Sequence, residues 1–169
     1  YLKLAGNLVL APRAHFGLIG SYSDKVGVGP FERFQLGGSG LTGQNFVLGT
    51  DVIGLRGYED RSLNGDDPNA DYQGGTAFTK FVMELRYPVS LNPSATIYGL
   101  TFFEAGNNWS HVEDFNPYNL YRAAGVGVRI FMPAFGLLGL DWGYGLDPAP
   151  GSLEVSGPQF HFSIGQQIR

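Results

Sequence analysis

Alternation of apolar and polar residues at period 2 is the feature that most constrains what this chain can fold into. Near the C-terminus, Phe160, Phe162, Ile164 and Ile168 fall on one face of an extended segment. Gln159, His161, Ser163, Gly165 and Gln167 fall on the other, and Gln166 interrupts the apolar face near its end. Successive side chains take opposite faces in a strand, so the segment reads as a strand with one oily and one polar side. Gly136 to Gly145 repeats the scheme, with Leu138, Leu140, Trp142 and Tyr144 opposite Gly139, Asp141, Gly143 and Gly145. Lys80 to Tyr87 does so again, with Phe81, Met83, Leu85 and Tyr87 opposite Lys80, Val82, Glu84 and Arg86. Charges on these polar faces are costly in lipid, so they are expected to point into a lumen.

Other folds are poorly supported. Gly and Pro interrupt every window before caps could bracket a helical period, and no stretch approaches the roughly 20 apolar residues of a membrane helix. A chain of this kind crosses a membrane as strands or not at all. Only 15% of the residues are charged, 14% are aromatic and 26 of 169 are Gly, which suits a barrel whose outside faces lipid. The net charge, 11 − 15 = −4, offers no basic stripe for a nucleic acid. There is no Cys, hence no disulfide framework and no thiolate metal site. The chain starts Tyr1-Leu2-Lys3 and runs straight into patterned sequence, so it is expected to be a piece of a longer protein or a mature chain that starts mid-domain.

Breaks at Ala11-Pro12-Arg13, Leu91-Asn92-Pro93-Ser94 and Met132-Pro133-Ala134 suit tight turns on one side. Longer connections are expected at 107–116 and 147–157, and a very long one at about 28–75. Short turns alternating with long loops are the pattern of bacterial outer-membrane barrels. The expected strands are 1–10, 14–26, 76–90, 95–107, 118–132, 135–146 and 158–168, with an eighth possible inside the long stretch. Tyr22, Tyr87, Trp109, Tyr118, Tyr121 and Trp142 sit near strand ends and are expected in interfacial girdles. The long stretch is too rich in apolar and aromatic residues to be a plain linker, and a connection of that length in a compact domain is usually functional.

The segment Phe31-Glu32-Arg33-Phe34-Gln35-Leu36-Gly37-Gly38, followed by Leu55-Arg56-Gly57-Tyr58, resembles the sixth extracellular loop of the BamA family. Further matches follow in order: Glu84 to Pro88, Phe102 to Asn107, Gly125 to Arg129, Gly136 to Tyr144, and Phe160 to Gln167 as the terminal strand. The resemblance implies an all-β, transmembrane, antiparallel up-and-down barrel, of which residues 1–169 supply the C-terminal portion, roughly 7–8 strands of a 16-stranded barrel. It implies that the first strands and the periplasmic POTRA domains lie outside this chain. One departure stands out: the family's terminal aromatic is replaced by Ile168, followed by Arg169.

The function implied is that of an outer-membrane assembly factor, which folds and inserts β-barrel proteins by strand templating at a lateral seam. Its implied partners are unfolded outer-membrane proteins, accessory lipoproteins and the lipid bilayer, in the outer membrane of a Gram-negative bacterium. The loop motif Leu55, Arg56, Gly57 and Tyr58 would send Arg56 into the lumen to meet Glu84 and Glu104. Alternation agrees for Glu84; Glu104 shares its face with Phe102, Leu100 and Tyr98 and is less plainly a lumen residue. The terminal strand Gln159, Phe160, His161, Phe162, Ser163, Ile164, Gly165, Gln166, Gln167 and Ile168 would form one side of the seam. The rival readings are a TamA-like or two-partner secretion pore, a small autonomous eight-stranded adhesin, and an outer-membrane hydrolase.

No enzyme is expected. Glu84 and Glu104 read as structural lumen charges rather than an acid–base pair. The acidic run Asp66 to Asp71 lacks calcium-loop spacing, the Gly-rich 38–43 lacks a phosphate-loop Lys, and His15, His111 and His161 show no metal-ligand spacing. No Ser sits in a nucleophile elbow, and no cofactor or metal is expected.

Overall fold

The computed structural model describes residues 1–22, 27–29, 32–39, 52–64, 74–133 and 136–164. Seven strands form one antiparallel sheet in the order β1-β2-β5-β6-β7-β8-β9. They are β1 (Leu2–Ala5), β2 (Leu8–Leu18), β5 (Ala77–Asn92), β6 (Ala95–Trp109), β7 (Tyr121–Met132), β8 (Gly136–Pro148) and β9 (Val155–Ile164). Each large strand pairs with its neighbour in sequence, the up-and-down pattern of a barrel wall. Among the described residues no ladder joins β9 to β1, so the described strands form an open arc with β1 and β9 outermost.

The alternation places the two faces. Phe81, Met83, Phe103, Val126, Val128, Leu140, Trp142, Phe160 and Phe162 are exposed on the outer face. Glu84, Glu104, Arg129, Asp141 and His161 are buried on the inner one. Register then aligns unlike residues along single rungs. Glu84 pairs with Phe102, Phe102 with Gly125, and Gly125 with Gly143. One rung over, Val82 pairs with Glu104, Glu104 with Ala123, and Ala123 with Gly145. On these two rungs the inner surface therefore carries long side chains over β5 and β6 and little or no side chain over β7 and β8.

The N-terminal hairpin differs from expectation. The turn is at Gly6-Asn7, with Gly6 at φ +55°, and not at Pro12, which lies inside β2 opposite Met83. Gly6 supplies the left-handed conformation that a tight hairpin turn needs, whereas proline at position 12 is held at negative φ and continues the extended strand. β2 also stops at Leu18 rather than near residue 26. No full eighth strand occurs among the described residues of the long stretch. Instead β3 (Gln35–Leu36) and β4 (Val52–Ile53) form a two-rung parallel ladder, extended by bridges from Leu36 to Leu63 and Gly38 to Leu55. Leu36, Leu55, Tyr58 and Leu63 bury one another against Ala123 of β7, giving the loop a core of its own. Trp109 is buried and stacks edge-on with Phe115 at 4.7 Å, so it does not belong to an interfacial girdle.

Candidate functional site: an arginine cage between loop and wall

The loop's approach to the wall is decided at Gly57. Its φ of +92° is a conformation that side chains rarely adopt, and a Cβ there would fall 2.9 Å from the backbone nitrogen of Gly145. Gly143 mirrors it, since a Cβ on that residue would fall 2.7 Å from the Gly57 nitrogen. Three glycines thus let the loop backbone rest directly on the backbone of β8. Tyr58 follows, fully buried, with its hydroxyl donating to the Arg122 carbonyl at 2.9 Å and accepting from the Asp147 amide at 3.3 Å. Burial pushes the Tyr58 hydroxyl pKa up to about 12, so the proton it donates is kept throughout the physiological range.

With the backbone so placed, Arg56 extends over β5, β6 and β8. Its own amide donates to Glu104 Oε2 at 2.8 Å, and Nε and Nη2 donate to Glu104 Oε1 at 3.0 and 2.7 Å. Nη2 also donates to Glu84 Oε1 at 2.8 Å, and Nη1 to Asp141 Oδ1 at 3.2 Å. The guanidinium lies 3.7 Å from the centroid of the Phe102 ring. Phe102 occupies the strand position opposite Gly125, where the missing side chain leaves room for the ring. The planar fork of arginine suits this geometry, because it meets several carboxylates in its plane and an aromatic ring on its face.

Further cations complete the network. Arg13 and Arg86 reach Glu84, the first by Nη2 to Oε1 and the second by Nε to Oε2, both at 2.9 Å. Arg129 holds Asp141 bidentately at 2.9 and 2.8 Å. Lys80 lies 3.4 Å from Glu104 and donates to the Gly54 carbonyl, another link between wall and loop. Each buried carboxylate thus has at least two cationic partners, the condition under which buried charge is tolerated. Beside the cage lies a cavity of about 110 Å³, lined by Arg13, Arg56, Glu84, Asp141 and His161 among others.

Of the residues named from the sequence, Arg56, Glu84 and Glu104 come together in this cage. Gln159 to Ile164 form the outermost strand of the arc, β9; Gly165, Gln166, Gln167 and Ile168 lie outside the described residues, as does the acidic run 66–71. His161 has a contact that its place in the strand does not announce: its Nε2 accepts the Gly57 amide hydrogen at 3.2 Å. Asp141 is a partner of Arg56 that the sequence reading does not name, although between Gly139 and Gly145 it is the one acid on a face otherwise made of Gly139, Gly143 and Gly145.

A domain model of the Omp85 superfamily matches residues 1–168. The chain belongs to the Omp85 superfamily. No curated protein matches it. Omp85 proteins are outer-membrane barrels of Gram-negative bacteria, a family of membrane-protein insertion and translocation. In this Omp85 chain the arc, its outward apolar band and the inward loop are all parts of such a wall.

Proposed function

We propose that this chain is the C-terminal barrel segment of a BamA-type assembly factor, which folds and inserts β-barrel proteins into the outer membrane. The observation that carries the reading is the Arg56 cage: a long loop is pinned by ionic hydrogen bonds to the inner face of the wall, close to β9, the outermost of the described strands. An unpaired strand edge in lipid is costly, and an incoming strand relieves that cost by pairing with it. The fixed loop keeps the wall rigid next to the edge that must open. Templating of this sort needs no covalent step, no cofactor and no metal. Its partners are unfolded outer-membrane proteins, accessory lipoproteins and the bilayer, and its location is the outer membrane. A small autonomous adhesin has no use for a loop bonded across five strands of the inner face.

The test is Arg56→Ala in the full-length protein, reconstituted in liposomes with an unfolded barrel as substrate. The expected outcome is slower substrate insertion with the mutant barrel still assembled. Wild-type insertion rates would remove Arg56 from the mechanism. A TamA-like factor or a two-partner secretion pore is separated by substrate: a pore passes a polypeptide across the membrane and leaves no inserted barrel behind.

A further inference from the structure

The inner face of β9 meets the loop through an imidazole, and the chemistry of that contact has a consequence. His161 is buried, stands opposite Asp141 in the ladder, and accepts the Gly57 amide hydrogen on Nε2 at 3.2 Å. An amide can only donate, so the bond requires Nε2 to carry a lone pair, and the neutral ring must then hold its proton on Nδ1. The donor belongs to the residue whose backbone rests on Gly143 and Gly145, so it cannot turn away without lifting the loop. Arg56 is bonded to β5, β6 and β8; the described hydrogen bond from the loop motif to the outermost strand is this one.

We infer that His161 is a latch through which the loop motif holds the terminal strand, closed when the imidazole is neutral and released when it is protonated. Protonation puts an N–H where the lone pair was, so two donors face each other and the bond is lost. The charged groups acting on the ring are Asp141 on β8, Glu104 on β6, and Arg56 and Asp60 on the loop. Arg13, Lys80, Glu84 and Arg129 line the same cavity. Asp141, Glu104 and Glu84 are each engaged by cations of the cage, so the added proton acts first on the hydrogen bond that it replaces. The latch is a matter of geometry; that it governs opening of the seam rests on the assembly reading above.

This chain has no Cys of its own, so two introduced cysteines can be placed in it at will, with any Cys elsewhere in the full-length protein replaced first. Spin labels at Glu59→Cys, exposed on the loop, and Phe162→Cys, exposed on the outer face of β9, report the loop–strand distance in the folded full-length protein. Unperturbed histidine titrates near pH ~6.5, so pH 8 and pH 5 bracket it. The labelled protein should give one narrow distance distribution at pH 8 and lose it at pH 5. Adding His161→Gln, which keeps an acceptor oxygen and cannot titrate, should give the narrow distribution at both. Adding His161→Leu, which has no acceptor, should give the broad one at both. A distribution still narrow at pH 5 with His161 present, or a Gln variant that broadens on acidification, overturns the latch. These two arms decide the matter even where the Leu variant fails to fold. No substrate enters the measurement, so failure of barrel insertion would sink the assembly reading and leave this result standing.

Discussion

Gly57 and Gly145 face each other backbone to backbone, close enough that a Cβ on Gly57 would lie 2.9 Å from the Gly145 nitrogen. Everything else in the site depends on that approach. Only with the loop at this depth does the Arg56 amide meet Glu104, its guanidinium reach Glu84 and Asp141, and the Tyr58 hydroxyl bridge β7 and β8. Gly57, Gly143 and Gly145 serve this contact: the wall is stripped of side chains where another backbone must lie on it.

Gly57→Ala is therefore expected to destabilise the folded protein by about 2–4 kcal/mol, the sum of a left-handed alanine and overpacking against β8. Gly143→Ala should cost about 1–3 kcal/mol, from overpacking alone. Gly99→Ala is the control, because a Cβ there meets nothing within 4 Å, and it should be neutral or slightly stabilising. Urea unfolding midpoints in one detergent compare the three. Equal midpoints for Gly57→Ala and Gly99→Ala would mean that the loop does not rest on the wall.

Asp141 is shared between Arg56 and Arg129, which predicts non-additivity. Asp141→Asn keeps the shape but removes the charge that two buried guanidiniums require, at an expected cost of about 3–5 kcal/mol. Arg56→Lys preserves charge yet cannot bridge Glu84, Glu104 and Asp141 together, so it should lose most of what Arg56→Ala loses. A double-mutant cycle between positions 56 and 141 should show a coupling of at least about 0.5 kcal/mol. Additive effects would mean that the two groups act independently.

How much of this could be read beforehand depended on whether a feature was local. Alternation is local, and it placed Glu84, Asp141 and His161 on inner faces and Phe81, Trp142 and Phe160 on outer ones. Pro12 reads as a break, yet it sits inside β2 opposite Met83; the hairpin turns at Gly6-Asn7, where Gly6 takes the positive φ that proline cannot. Glu104 was ambiguous because an aromatic on its face suggested lipid, whereas Phe102 is the ring on which Arg56 lies. Non-local features left no such trace. Nothing in the spacing of Gly57 and His161 foretells a hydrogen bond across 104 positions of chain. The resemblance supplied the pairing of Arg56 with Glu84 and Glu104, and the loop's own core of Leu36, Leu55, Tyr58 and Leu63 became visible only once folded.

Tyr58→Phe isolates a single hydroxyl. The ring stays packed against Tyr121 at 6.0 Å, while the Arg122 carbonyl and the Asp147 amide lose their shared partner. The expected cost is about 1–2 kcal/mol, that of a buried hydrogen-bonded group. Hydrogen exchange should locate it, with faster exchange at Asp147 and unchanged protection in the β5–β6 ladder. Uniform loss of protection across the sheet would instead mark a global effect.

The outer face carries the last prediction. Val126 on β7 and Trp142 on β8 are cross-strand partners, both exposed in the middle of the apolar band, one residue away from the inward Gly127 and Asp141. A charge at Val126 faces lipid if the sheet is a barrel wall and water if it is a soluble arc. Val126→Lys should cost about 2–4 kcal/mol for folding into a bilayer, with the penalty falling to about 0–1 kcal/mol when the same change is made near a strand end, as at Val89. Detergent micelles, which admit water around a snorkelling lysine, should shrink the difference between the two positions. The comparison is made by equilibrium folding of the full-length variants into liposomes. A Val126 variant that folds into the bilayer as readily as the Val89 variant would mean that this band does not face hydrocarbon.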